Sequence, residues 1–366
     1  VNGQNKIKLL VITPSLQCGG SEKFVSMVCN HINTERFRVC LVVVDNSRPF
    51  CHITNPAIKI IDLKKKRVLF SLPAIKKAVN EFDPDIIFST ASHLNLYLAI
   101  FRNRFPKKIQ FIAREASIVS INSRQAKMPL LYNLLIRKFY RRFDMIICQS
   151  AYMQQDLVKN YRIPGNKTTV QYNATPEVPV TIKKLTGQPA DHVHTFITIA
   201  RLTTEKGIER LIHAVGLLTI PFRYYITGEG GLRNQLQQII DKLHLQDKII
   251  LTGEKPEPFA GLEDADLLLV GSYYEGFPNV VLEAGAYGIP VIAFNVPGGI
   301  AEIITEGTNG LLVDNNDVIA FAAAINKALT TDFNREDIIT STTKRFSVNR
   351  LIPAVEKLFL QLTGNI

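Results

Sequence analysis

Apolar residues in the first half of the chain gather in short runs: Lys6–Thr13, Arg38–Asp45, Lys59–Leu63, Asp85–Thr90, Lys108–Glu115, Met145–Ser150 and Thr169–Asn173. Each run is close to continuously apolar rather than alternating, the pattern of parallel strands buried on both faces. Between most of them lie segments with apolar residues at i, i+3, i+4 spacing, such as Phe24, Met27, Val28 and Ile32. This alternation of strand and helix predicts an α/β fold built on a doubly wound parallel sheet.

The rhythm breaks over residues 176–194, which hold three prolines and no periodicity, and so read as a linker between domains. A second series follows, with strand-like runs at Thr195–Arg201, Arg223–Thr227, Lys248–Thr252, Ala265–Gly271, Pro290–Asn295 and Gly310–Val313. The organisation expected is two Rossmann-like domains, residues 1–175 and 195–346, facing a cleft. In open α/β sheets ligands bind beyond the carboxyl ends of the strands. The last helical stretch, within residues 347–366, carries Leu351, Val355, Leu358 and Leu362 on one face. Its spacing leaves open which domain it packs on.

Composition narrows the class. The chain has 366 residues, 46% hydrophobic and 20% charged, which suits about two globular domains and excludes wholesale disorder. Its net charge of +11 is unevenly spread: residues 1–175 carry 27 Lys+Arg and 10 Asp+Glu, whereas residues 176–366 carry 16 and 22. A basic half beside an acidic one points to an anionic surface or ligand met by the first half: membrane, nucleic acid or phosphate. The polar start, Val1 to Lys8, leads directly into a strand, so no signal peptide is expected. The longest uncharged stretch, Ala284 to Ala301, is punctuated by four Gly and two Pro before its final Ile-Ala and reads as helix, turn, strand and turn rather than a span. Five cysteines are odd in number and too few to staple this length, and a reducing, cytoplasmic setting is expected.

Candidate chemistry concentrates in the second series. Glu275 and Glu283 stand eight residues apart, the first in a Gly/Pro loop after a strand and the second in the first turn of a helix that begins near Asn279. Carboxylates so placed can accept hydrogen bonds from sugar hydroxyls, and the N–H groups of the helix start suit a phosphate. Taken alone, the pair reads more simply as a solvated loop acid and a helix-dipole partner, and the surrounding residues reverse that. Arg201 and Lys206 straddle the turn after the first strand of this series, where two cations can offset the charge of a leaving diphosphate. An exposed basic turn is the plain alternative. Gly228-Glu229-Gly230 ends the next strand, where glycines permit close backbone approach.

Together these residues resemble the retaining glycosyltransferases of the GT-B architecture, specifically family 4. The shared features are E-x7-E (Glu275, Glu283), R-x4-K (Arg201, Lys206), Pro297-Gly298-Gly299, and a Gly-Gly loop after the first strand, here Gly19-Gly20-Ser21-Glu22. The resemblance runs over almost the whole chain. It implies that Glu275 holds donor-sugar hydroxyls with backbone help from Gly276, Phe277 and Pro278, in a loop ending at Asn279. It implies further that Glu283 holds the ribose, that Arg201 and Lys206 neutralise the diphosphate, and that Glu254 and Lys255 lie near the base. The C-terminal helix is implied to return to the N-terminal domain.

The first half departs from that pattern in one place. Family members often carry a His at the end of the strand Lys108–Glu115, whereas this chain reads Ala113-Arg114-Glu115-Ala116. Arg114 or Glu115 is therefore expected at the reaction centre, with His93 a further candidate or a helix-start residue. Gly19 and Gly20 open a helix and let the backbone approach the donor. Asp83-Pro-Asp85 and Asp264-Ala-Asp266 have the form of a metal-binding pair, but each precedes a strand, away from the carboxyl edge. They read as turn acids, and no metal or other cofactor is expected. Residues 124–142 place Met128, Leu131, Leu134, Leu135 and Phe139 beside Arg124, Lys127, Arg137, Lys138, Arg141 and Arg142, which reads as one basic amphipathic helix. It suits either an anionic membrane surface or simple core packing.

The expected function is transfer of a sugar, with retention, from a nucleotide donor, UDP-linked, to a lipid-linked glycan in surface polysaccharide, LPS or capsule assembly. The site of action expected is the inner face of the cytoplasmic membrane. A GT-B-like sugar-nucleotide epimerase is the alternative. A nucleic-acid binder is disfavoured, because no recognition motif is present and aromatics do not interleave the basic clusters.

Overall fold

A computed structural model describes residues 6–17, 19–176, 178 and 192–364. Two compact units divide at Ala174/Thr175 and again at Ser347/Val348.

The first unit holds strands β1 (Ile7–Thr13), β2 (Phe37–Val43), β3 (Lys59–Asp62), β4 (Ile86–Thr90), β5 (Gln110–Glu115), β6 (Met145–Cys148) and β7 (Thr168–Val170). They form one parallel sheet in the order β3-β2-β1-β4-β5-β6-β7. Its helices are α1 (Gly20–His31), α2 (Leu72–Phe82), α3 (Ser92–Ile100), α4 (Val119–Arg124), α5 (Pro129–Phe139) and α6 (Ala151–Tyr161). The central strands are the apolar runs of the sequence, and Leu9, Val11, Ile86, Phe88 and Ile112 have no exposed surface.

The second unit holds β8 (His194–Ile199), α7 (Ile208–Gly216), β9 (Phe222–Thr227), α8 (Arg233–Lys242), β10 (Ile249–Gly253) and β11 (Leu267–Val270). It continues with α9 (Asn279–Ala286), β12 (Val291–Asn295), α10 (Ile300–Ile303), β13 (Gly310–Asp314), α11 (Val318–Thr330) and α12 (Arg335–Phe346). Its parallel sheet has the order β10-β9-β8-β11-β12-β13. The order reverses between β8 and β11, which places a topological switch point at their carboxyl ends.

The last helix, α13 (Val348–Leu362), belongs to the first unit, where its apolar face joins the core beside β1, β2 and α1. Phe359 lies between Phe37 and Phe88, with ring centroids 6.2 and 5.7 Å away, and Glu356 accepts the Asn33 N–H at 2.7 Å. The linker read at residues 176–194 falls largely outside the described residues.

Residues 124–142 are not one helix. The chain breaks between α4 and α5, and residues 140–142 form a separate 3-10 turn. Pro129 is the reason: it has no N–H for a helix arriving from α4, yet suits the first position of a new one. Cys29, Cys40, Cys51 and Cys148 are all buried. No described helix is long and apolar enough to cross a membrane.

Candidate active site

The loops after β8, β9, β10, β11 and β12 supply nearly every residue that the sequence singled out in the second unit. After β8 comes a 3-10 turn, Thr204–Lys206, ended by Gly207 in the left-handed region (φ 55°). A Cβ there would overlap the Gly271 carbonyl oxygen, so only glycine lets this turn lie against the end of β11. That approach brings Lys206 Nζ within 2.6 Å of Glu275 Oε1, an ion pair across the switch point with both side chains mostly shielded from solvent. Ser272 Oγ donates to the same oxygen at 2.5 Å.

The Glu275 backbone is held from the β12 side. Its N–H donates to Pro297 O at 3.0 Å, and Gly299 N donates to Gly276 O at 3.0 Å. Gly298, at φ 125°, lies so close that a Cβ would collide with the Glu275 carbonyl. The Pro-Gly-Gly sequence therefore has a mechanical reason: it is the rail along which the Glu275 loop is aligned.

Arg201 and Lys206 are engaged separately. Arg201 is mostly exposed and pairs with Glu205 at 3.1 Å. Burial pushes the Glu205 carboxyl up, but hydrogen bonding from its own backbone and the nearby Arg201 and Lys206 outweigh it and hold the group below its usual value. Gly228 and Gly230 serve packing between loops: a Cβ on either would strike the backbone of Ala200 or Leu202, and Leu202 N donates to Glu229 O at 2.9 Å. Glu229 pairs with Arg233 at 2.8 Å, and Glu254 is exposed just past β10. Phe277 is a core residue, its ring 5.6 Å from Phe346, while Pro278 is buried just before α9 and Asn279 opens that helix. Glu283 lies in the second turn of α9, not the first, and is partly exposed.

Sequence reasoning missed Arg210. On the otherwise apolar face of α7, its Nε donates to Gly271 O at 2.6 Å and its guanidinium reaches Ser272 O. It also donates to Asn315 and Asn316 Oδ1 at 2.8 and 3.0 Å. The group is clamped between the rings of Tyr273 and Phe294, at 4.1 and 3.7 Å. Burial lowers its pKa to about 10, which leaves it charged at neutral pH. The signal was in the sequence: a lone Arg among Ile208, Leu211, Ile212 and Val215.

In the first unit the expectation for Glu115 needs correction. Its carboxylate has no exposed surface and accepts from Ser92 Oγ (2.5 Å), Asn95 Nδ2 (2.7 Å) and Tyr140 OH (2.8 Å). Both oxygens are consumed inside the core, so the residue organises β5, α3 and the 140–142 turn instead of presenting a reactive acid. Arg114 is equally enclosed, stacked 3.7 Å over Phe24 and bonded to Asn173, with burial lowering its pKa to about 9. His93 stands at the start of α3. Gly19 is the N-cap of α1 and Gly20 its first residue; the Glu22 carboxylate folds back over Gly19. Desolvation raises the Glu22 pKa against opposing hydrogen bonds from its own backbone and Ser15.

Both acidic pairs lie at amino edges. Asp83 meets Lys108 at 2.7 Å, Asp85 accepts the Lys8 N–H at 2.8 Å, and Asp266 accepts the Thr195 N–H at 2.7 Å. None joins the Lys206–Glu275 site.

Two family models divide the chain as the fold does: "Glycosyltransferase Family 4" matches residues 18–176 and "Glycosyl transferases group 1" matches residues 187–345. The chain belongs to glycosyltransferase family 4. Among relatives of this transferase is the N-acetylgalactosamine-N,N'-diacetylbacillosaminyl-diphospho-undecaprenol 4-alpha-N-acetylgalactosaminyltransferase of Campylobacter jejuni, 26% identical over 84% of this chain and 86% of that one. The putative colanic acid biosynthesis glycosyltransferase WcaL of Salmonella typhimurium is 32% identical over 68% of this chain and 63% of its own length. Among solved structures, the lipopolysaccharide outer core galactosyltransferase WaaB superposes with a TM-score of 0.77 at 20% identity, covering 97% of this chain and 99% of that one. Anabaena HepE in complex with UDP-glucose gives 0.78 at 20% identity, covering 97% and 100%. These superpositions establish the GT-B fold of the transferase.

Proposed function

We propose that this family 4 transferase moves a sugar, with retention of anomeric configuration, from a UDP-linked donor to a lipid-linked saccharide during surface polysaccharide, LPS or capsule assembly. The observation that carries this reading is the Lys206–Glu275 pair at the β8/β11 switch point. A cation and a carboxylate are there pre-aligned by glycine-dependent loop contacts, one suited to a departing diphosphate and the other to sugar hydroxyls. Arg201, exposed and paired with Glu205, can extend toward the diphosphate. Glu254, Gly276 and Glu283 frame the same edge for nucleotide and sugar. The reading assigns Asp83, Asp85, Asp264 and Asp266 no part in transfer, since they lie at the amino edges of their sheets.

Donor and acceptor classes draw support from the relatives' own descriptions: a neighbour holds UDP-glucose, and another relative acts on a diphospho-undecaprenol-linked saccharide. The relatives named are transferases, which weighs against the epimerase reading. The first unit suits an anionic membrane surface at the inner face of the cytoplasmic membrane. Met128, Leu130, Leu131 and Leu134 of the α5 segment are exposed, as are Leu69 and Phe70 beside Lys64–Arg67. Exposed apolar side chains with basic neighbours suit interfacial insertion at anionic lipid. Arg124, Lys127 and Lys138 are exposed there, whereas Arg137, Arg141 and Arg142 also donate to main-chain carbonyls of neighbouring elements.

The test is a panel of UDP-sugars with a lipid-linked acceptor extract, read as UDP release, acceptor mass gain and the anomeric configuration of the product. A donor that turns over without acceptor into an isomeric UDP-sugar would instead support the epimerase; inversion of configuration would refute the retaining assignment.

A further inference from the structure

The amino edge of the second sheet carries a cluster that the transfer reaction does not use. His192 stands two positions before His194, the first residue of β8, so where the chain is extended their side chains leave on the same side. The parallel register sets Leu267 opposite Phe196, which brings Asp266 beside Thr195, 71 positions away in sequence. Asp266 Oδ2 then stands 3.3 Å from His192 Nε2 and 3.8 Å from His194 Nδ1. One ligand atom from each of the three residues falls within a sphere in which all lie within 4.8 Å of one another. The two imidazoles meet edge to face with centroids 4.9 Å apart.

His194 Nδ1 is the revealing atom. It is buried and has no hydrogen-bond partner, although it faces a carboxylate that lies just beyond reach. A buried polar atom left unpaired costs about 1–3 kcal/mol, so native structures rarely keep one without a reason. A cation between the rings and the carboxylate removes that deficit. Ligand atoms roughly 2.0–2.2 Å from a tetrahedral ion stand about 3.3 Å from one another, the spacing of Asp266 and His192, and small side-chain rotations bring in His194 from 3.8 Å.

We propose that His192, His194 and Asp266 form a binding site for a divalent transition metal of the zinc class, with the fourth position open to water. Two imidazoles and one carboxylate select this class over Mg²⁺ or Ca²⁺, which take oxygen ligands. The site lies at the edge of the sheet opposite the Lys206–Glu275 pair and takes no part in sugar transfer. It is a clip that fastens the first residues of β8 to the entry of β11. Asp264-Ala-Asp266 thereby divides: Asp264 pairs with Arg335 at 3.5 Å, and Asp266 turns to the histidines.

The experiment uses the full chain after metal depletion, titrated with Co²⁺ and followed by its visible ligand-field bands, then displaced by Zn²⁺. One saturable equivalent with the intense bands of low-coordinate Co²⁺ is expected, together with a higher melting temperature of the second unit. His192→Gln and His194→Gln should each weaken binding by at least about tenfold, since even second-shell losses cost 10–100-fold. His192 is partly exposed, so His192→Gln leaves the fold intact, and circular dichroism of the metal-free variants checks this. Absence of saturable binding, or binding that both substitutions leave unchanged, overturns the proposal. Because neither the probe nor the readout involves UDP-sugar, the result is independent of the donor and acceptor assignment.

Discussion

Arg210→Met isolates the structural support of the Glu275 loop from its chemistry. Methionine keeps a long apolar stem in the slot between Tyr273 and Phe294 and removes the guanidinium. Two acceptors lose their donor inside the protein: the carbonyls of Gly271 and Ser272, both buried. Asn315 and Asn316 are exposed and can bond water instead. Each orphaned buried carbonyl costs about 1–3 kcal/mol, and each lost cation–π contact about 0.5–2 kcal/mol. Relief of burying a cation offsets part of this, so the expected net loss is about 2–4 kcal/mol. For a unit spanning Thr175–Ser347 that corresponds to a fall of roughly 5–15 °C in melting temperature, resolved by calorimetry of the whole chain. Arg210→Lys should recover little of it, because one ammonium on a shorter reach cannot serve both carbonyls and the two asparagines as a planar fork does. Full recovery by Lys, or a Met variant melting within about 2 °C of wild type, would mean that the guanidinium does not hold these loops.

At the ion pair, Lys206→Met should lower kcat by about 10²–10³-fold, as loss of one stabilising group at developing charge does elsewhere. Glu275→Gln combined with it should be far less than additive if the two side chains act as a unit, a test by steady-state kinetics on all four combinations. Gly298→Ala should abolish donor binding by calorimetry, since the Cβ collides with Glu275 and the positive φ adds about 1–2 kcal/mol of strain. In the first unit, desolvation raises the Glu115 pKa above its usual value despite its hydrogen bonds. Its folded form therefore holds the proton more tightly than the unfolded chain, and its contribution to stability is full below the unfolded value and lost as pH rises through the folded one. Melting temperatures from pH 4 upward should show a fall for this unit that Glu115→Gln flattens, with a remainder from Glu22, which burial shifts the same way. Leu130→Ser with Leu134→Ser should cut sedimentation with anionic vesicles at least about tenfold while leaving melting unchanged, as both side chains are exposed in the folded protein.

The thirteen strands of the described residues lie where the apolar runs predict them, with ends within a few residues: central strands such as β1 and β4 are buried on both faces and admit little but apolar residues, whereas the edge strand β3 is partly exposed. The site loops were legible for a related reason. Gly207, Gly228 and Gly298 occupy positions where a Cβ would strike backbone, so the sequence there has little freedom. What misled was local pattern without its partners. Residues 124–142 have continuous amphipathic spacing, and Pro129 divides them; Glu115 has the right place on its strand, and three donors from α3 and the 140–142 turn close over it.

By itself, then, the sequence determined the two α/β units, the switch-point loops and the family, since each depends on residue type at a given spacing along one chain. The tertiary structure alone decided which acid meets which base. Lys206 turns to Glu275, Arg210 holds the loop carbonyls, and Asp266 meets His192 and His194 rather than a donor. Such pairings are set by strand order and register, which bring residues some 70 positions apart within bonding distance, and no local periodicity encodes that distance.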